Sequence, residues 1–282
     1  MYKLNARMNI IHRKIKDKPV IIYEDHRTIL NVLYHAFHED KLDFKNPPDL
    51  ICFDKHDDGK EPSNKAMNKI RKYRKALPDI REFSDFVEWD LNGTDDDWLK
   101  VGIELGFINN IVLIGVKDPS NFKHGKNIYT DHKDQDHKIW LIGHIWSELE
   151  HQGKLSDIYR RKDFEELWEI LNWEFNNGRF NFKNNGDWNL VLDFDLDCFT
   201  TDINGYTMAW PQDFLYNSFL RYSNKDYTSS WNTKIFLEQI YSSSKFITIA
   251  RESECSGNMR ESDLILEIID EVIMNKTLLK NG

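Results

Sequence analysis

Cysteine is scarce in this 282-residue chain, and what there is does not pair by spacing. Cys52, Cys198 and Cys255 are odd in number and form no Cys-x-x-Cys, which argues against a disulfide framework and for a reducing compartment. Long apolar runs are missing too. None approaches a membrane span, and Met1 to Arg7 hold no apolar signal region. The expectation is a soluble, cytoplasmic protein with no membrane partner. Positive charge is also in deficit: 38 Lys and Arg stand against 47 Asp and Glu, a formal net charge of −9. That balance argues against non-specific nucleic-acid binding and favours cationic ligands. No repeat and no domain boundary stands out, so residues 1–282 read as a single α/β domain.

Hydrophobic residues, at 40%, suffice for a core, and the 30% of charged residues are interspersed in sign, unlike a disordered chain. The nine Trp fit core packing first, with a peptide-binding surface as the sharper alternative. Apolar runs at Pro19–Tyr23, Leu50–Phe53, Ile111–Val116, Ile139–Ile142 and Phe246–Ala250 read as buried strands, and so does the stretch Leu190–Phe199, an apolar run that ends in three aspartates. Helical spacing marks 29–39, 64–77, about 95–107, 164–175, 235–241 and 264–273. This alternation predicts a three-layer αβα sandwich with a mostly parallel central sheet, whose site lies at the carboxyl ends of the strands. Residues 200–231 carry no clear pattern.

Chemistry gathers at those strand ends. Asp193, Asp195 and Asp197 are spaced two apart, so on a strand their carboxylates share one face and repel unless neutralised. Asp54, His56 and Asp58 repeat the spacing after the second strand, and His26 follows the first. Mixed imidazole and carboxylate donors suit Mn, Fe or Zn better than Ca. So many carboxylates exceed the needs of one divalent ion; two ions roughly 3.5 Å apart could activate one water between them. A calcium loop starting at Asp193 fails, because Cys198 and Asn204 stand where Gly and Glu are needed. An aspartyl-nucleophile phosphatase would leave Asp54-x-His56-x-Asp58 unexplained. The group from Asp131 to His137 follows no buried strand and reads as a solvated loop.

These pieces resemble the metal motifs of the ureohydrolase superfamily, the arginases, agmatinases and their relatives. Glu24-Asp25-His26 resembles its Asp-His, without the glycines; Asp54-Lys55-His56-Asp57-Asp58 resembles its Asp-Ala-His-x-Asp; Phe194-Asp195-Leu196-Asp197 resembles its Phe-Asp-(Val/Ile)-Asp. The resemblance implies an arginase-like fold and two manganese ions held by His26, Asp54, His56, Asp58, Asp195 and Asp197. The pair Asp193 and Asp195 is the other possible register. Asp195 and Asp197 are preferred because Phe194 then takes the family's aromatic position, leaving Asp193 as a supporting or strand residue. The loop Gly59–Asn64 lacks the family's amino-acid clamp, and no histidine follows His56 before His124. The chain therefore more closely resembles the peptide arginases, which turn arginine side chains of a ribosomally made precursor peptide into ornithine and urea.

On that resemblance an arginine-containing precursor peptide is the expected partner. Asp58 would handle the proton of the attacking water and Glu252 would bind the guanidinium, with Glu254 as its alternate. His132, His137, His144 and His151 are open as proton shuttles. The alternatives are a small guanidino or other C–N substrate, or a non-catalytic binding protein on the same fold.

Overall fold

The computed structural model describes residues 10–15, 18–92, 96–143, 188–220 and 233–274. The expected helix at 164–175, most of the Asn-rich segment 176–189, and His144 and His151 lie outside them.

The strands are β1 (Ile11–Ile15), β2 (Lys18–Tyr23), β3 (Asp49–Phe53), β4 (Ile111–Ile114), β5 (Gly125–Thr130), β6 (Asp136–Ile142), β7 (Leu190–Asp195) and β10 (Ser244–Ala250). They form one eight-stranded sheet in the order β1-β2-β10-β7-β3-β4-β6-β5. The six inner strands run parallel, and β1 and β5 pair antiparallel at the edges. A separate hairpin, β8 (Thr200–Ile203) with β9 (Tyr206–Ala209), follows β7.

Inner strands are apolar on both faces because helices cover both. Ile21, Tyr23, Leu50, Cys52, Leu113 and Val191 pack under α1 (Ile29–His38), α2 (Asn64–Tyr73), α3 (Ile80–Trp89) and α4 (Trp98–Glu104). Val20, Ile22, Ile51, Phe53, Leu192 and Phe194 pack under α5 (Gln212–Leu220), α6 (Thr233–Ser243) and α7 (Met259–Val272). On this second face Phe53 and Phe194, neighbours in register, stack with ring centroids 5.0 Å apart. The result is the expected αβα sandwich with a mostly parallel sheet.

Three elements escape the sequence pattern. Helix α3 is short, but its start is written in Asp79, whose carboxylate accepts the Glu82 amide at 2.9 Å as an N-cap. Strand β1 is a polar edge strand in which only Ile15 is buried. The expected loop around Asp131–His137 is the tip of the β5–β6 hairpin, and His137 is buried, its Nδ1 2.5 Å from the Asn109 carbonyl. That contact lies at the start of β4 and β6, opposite the strand ends that carry the other candidate residues. His132, at the same tip, is spent on Glu104 at 3.0 Å. His124 precedes the edge strand β5, whose start pairs with the carboxyl end of β6, and is exposed.

Candidate metal centre

His26 opens a 3-10 turn (His26–Thr28) just past β2 and is buried. Its Nδ1 stands 3.1 Å from Asp58 Oδ2, 3.1 Å from Asp195 Oδ2 and 3.5 Å from Asp54 Oδ2. Asp54 is the first residue after β3, tied to the sheet by its amide on the Ile114 carbonyl. Asp195 ends β7. Asp197 is not on the strand but in the 3-10 turn Leu196–Phe199, its amide donating to Asp195 Oδ1 at 3.2 Å. The strand alternation expected for all three aspartates thus covers only Asp193 and Asp195; the turn brings Asp197 round. His56, half exposed, sets Nδ1 3.1 Å from Asp197 Oδ2 and 3.9 Å from Asp54 Oδ1. Asp54 therefore offers one oxygen to the His26 side and the other to the His56 side.

Asp58 has a left-handed backbone, φ +42°, a conformation that non-glycine residues adopt at a cost. Its neighbours hold it there. Trp98 Nε1 donates to Asp58 Oδ2 at 2.5 Å while its ring lies 4.7 Å from that of His26. Asp57 anchors the loop by accepting the amides of Asn121 and Phe122 at 2.6 and 3.0 Å. Gly59 lies so close under the Phe122 ring that a Cβ would be 2.0 Å from it.

Glu252 follows β10, also left-handed at φ +39°. Its amide donates to the Glu24 carbonyl, and its Oε1 accepts the His26 amide at 3.1 Å. Glu24 in turn accepts the Ser253 amide and hydroxyl. Among the described residues, Glu252 joins His26 and Asp195 in one cluster of potential donor atoms. Glu254 is exposed and outside these clusters.

Crowding shows in the acidities. Burial, with Asp58 and Asp195 alongside, pushes the Asp54 carboxyl far above the usual carboxylate range. Burial and the Asp197 charge push Asp195 up to about 7. Burial and Asp195 push Glu252 up to about 10. Contact with Asp197 raises His56 to about 9. Burial opposes protonation of His26, but Asp193 and Asp195 outweigh it and raise its pKa.

The residues fit divalent cations. His26 Nδ1, Asp54 Oδ2 and both carboxylate oxygens of Asp197 are buried with no hydrogen-bond partner, an expensive condition for polar atoms. They converge with Asp58 and Asp195 on the same place. Mixed imidazole and carboxylate donors of this kind suit a divalent transition metal, and the contacts of His26 Nδ1 with Asp58 and Asp195 and of His56 with Asp197 are 3.1 Å. His26 Nδ1 faces Asp54, Asp58 and Asp195 on one side; on the other, Asp54, Asp195 and Asp197 hold potential donor atoms within reach of one another, with His56 beside Asp197.

Sequence reasoning missed the residues around the donors. Trp98 and Glu24 hold Asp58 and the Glu252 loop, and Tyr23, Cys52 and Thr248 surround Asp193. The alignment of neighbouring strands brings these together, and no linear spacing signals it.

No family model matches the sequence, and no curated protein matches it. Among solved structures, proclavaminate amidino hydrolase from Streptomyces clavuligerus resembles the chain with a TM-score of 0.42 and 10% sequence identity. The alignment covers 90% of this chain, which spans 62% of the length of that one. No helix among the described residues is long and apolar enough to cross a membrane.

Proposed function

We propose that the chain is a divergent ureohydrolase: a dinuclear-metal hydrolase, manganese by preference, that cleaves the guanidino group of arginine side chains in a peptide and leaves ornithine and urea. The observation that carries this reading is the sharing of Asp54 between the His26 and His56 sides, with Asp195 and Asp197 closing the opposite wall. That is the donor set implied by the motif resemblance, drawn from three separate segments at residues 26, 54–58 and 195–197.

A pair of divalent cations held there supplies charge neutralisation and a water made acidic enough to act as a nucleophile near neutral pH. The rest falls to the chain. The burial and the Asp195 charge that raise the Glu252 pKa would be offset by cations held beside Asp195 and by the guanidinium itself; the ionised Glu252 carboxylate then accepts the guanidinium N–H groups, since it suits that planar fork. Its Oε1 is steadied by the His26 amide, so the carboxylate is already aimed. Asp58 has Oδ2 fixed by Trp98. Its other oxygen takes the proton of the attacking water and returns it to the departing amine nitrogen as the C–N bond breaks.

The loop Gly59–Asn64 supports a peptide rather than free arginine. Lys60 is paired with Asp96 at 3.1 Å and Glu61 with Lys100 at 2.5 Å, and Ser63 caps α2. Its charged groups are thus committed inside the chain rather than presented to an amino acid's termini.

The test is incubation of Mn2+-loaded protein with arginine-containing peptides, free arginine and agmatine, read by mass spectrometry. Urea release from a guanidino group removes about 42 Da per arginine by mass balance. Protein carrying two ions per chain that releases urea from none of these compounds overturns the proposal.

A further inference from the structure

We propose that Asp193 is the residue that positions His26 for metal binding, holding the ring by Nε2 so that Nδ1 faces the carboxylate cluster. The inference rests on the metal-centre reading above.

Asp193 is fully buried in the middle of β7, and its register neighbours are Thr248 on β10 and Cys52 on β3. Its Oδ1 accepts the Thr248 hydroxyl at 2.5 Å and the Tyr23 hydroxyl at 3.2 Å. Its Oδ2 faces Cys52 Sγ at 3.0 Å and His26 Nε2 at 2.7 Å. With three donors directed at its two oxygens, this carboxylate serves as an acceptor. Thr248, Tyr23 and Cys52 each have a proton to give, and Nε2 must therefore carry one as well.

A metal takes the imidazole in its neutral form, displacing the second proton, and a neutral imidazole has one N–H. With that proton on Nε2, the lone pair is on Nδ1. Every group within 3.5 Å of Nδ1 named above is a carboxylate, so the lone pair meets no donor among them. A cation is the partner that satisfies it. Asp193 is therefore no ligand itself, since its oxygens are occupied on the sheet side of the ring. It fixes which ring nitrogen is offered and holds the ring plane with Trp98. Partners of this kind are worth about 10- to 100-fold in metal affinity.

The experiment measures Mn2+ binding by wild type and by Asp193→Ala, counting ions per chain and fitting each affinity, with circular dichroism as the check on folding. Wild type should bind two ions. In Asp193→Ala the ion at the His26 position should bind about 10- to 100-fold more weakly, while the ion at the His56 position stays within about threefold. Folded Asp193→Ala with both affinities unchanged overturns the inference and leaves the metal centre standing; wild type that binds no metal overturns the metal centre itself. A second measurement needs no variant. Long-range 1H–15N spectra of Zn2+-loaded wild type, with histidines labelled, should show His26 protonated on Nε2 and not on Nδ1. The reverse pattern overturns the inference even where Asp193→Ala fails to fold.

Discussion

Asp195→Asn should make the metal-free protein more stable and the metal-loaded protein less so. The folded-state pKa of Asp195, about 7, lies above its ordinary 3.8 because it is buried beside Asp197. Between those values the folded chain keeps a proton that the unfolded chain has lost, so this group lowers stability progressively as pH climbs from about 4 to 7. Above pH 7 the loss is complete. The difference is about 3 pH units, and at about 1.4 kcal/mol per unit it is worth about 4 kcal/mol. At pH 5 only about 1 unit has been traversed, or between about 1 and 2 kcal/mol. An amide carries no charge to bury, and its carbonyl oxygen can still accept the Asp197 amide that Asp195 Oδ1 accepts at 3.2 Å. Urea unfolding of chelator-dialysed protein should therefore show Asp195→Asn more stable than wild type by up to about 4 kcal/mol at pH 8, shrinking to between about 1 and 2 kcal/mol at pH 5. Added Mn2+ should reverse the order, because Asp195 is a donor shared by both proposed positions. The reasoning fails if the variant is the less stable protein at pH 8 without metal, or if Mn2+ protects both proteins equally.

Other substitutions separate the roles within the site. Asp54→Ala removes the carboxylate shared by both positions and should lower bound metal toward zero and abolish turnover; elemental analysis showing two ions per chain would exclude Asp54 as a ligand. Glu252→Gln should keep wild-type metal content and cost about ten- to a hundredfold in turnover, the scale of a lost charged hydrogen bond. Glu254→Gln, at an exposed position, should alter neither, and the opposite pattern in paired kinetic assays would assign the guanidinium to Glu254. Trp98→Phe keeps the ring against His26 but removes the donor to Asp58 Oδ2, a loss of about 1.5–3 kcal/mol for a bond to a charged acceptor. Mn2+ titration should then show weaker binding at the His26 position with two ions still bound at saturation.

How much of this was legible in the chain follows from what each signal encodes. Buried parallel strands are continuous apolar runs, so β2, β3, β4, β7 and β10 stood out, and their ends located His26, Asp54 and Glu252. Strand β1 and strand β5 escaped because edge strands bury little and alternate with polar residues. The turn Leu196–Phe199 escaped because nothing in Leu-Asp-Cys-Phe distinguishes a 3-10 turn from two more strand residues. That last point explains why the aspartate spacing could not choose its own register. A period of two makes Asp193, Asp195 and Asp197 equivalent, and it took a motif resemblance to prefer the last two. The structure separates them by surroundings. Asp193 lies in mid-strand, where Thr248 and Cys52 occupy the neighbouring strands and use up its oxygens. Asp195 stands at the strand's end, and Asp197 beyond it presents two buried oxygens with no hydrogen-bond partner, one of them 3.1 Å from His56 Nδ1. The distinction is one of lateral neighbours, which come from β3 and β10, some 140 residues before and 55 residues after. A linear spacing rule carries no information about them, and this is why the reaction class could be argued from motifs while the division of labour among the aspartates required the sheet.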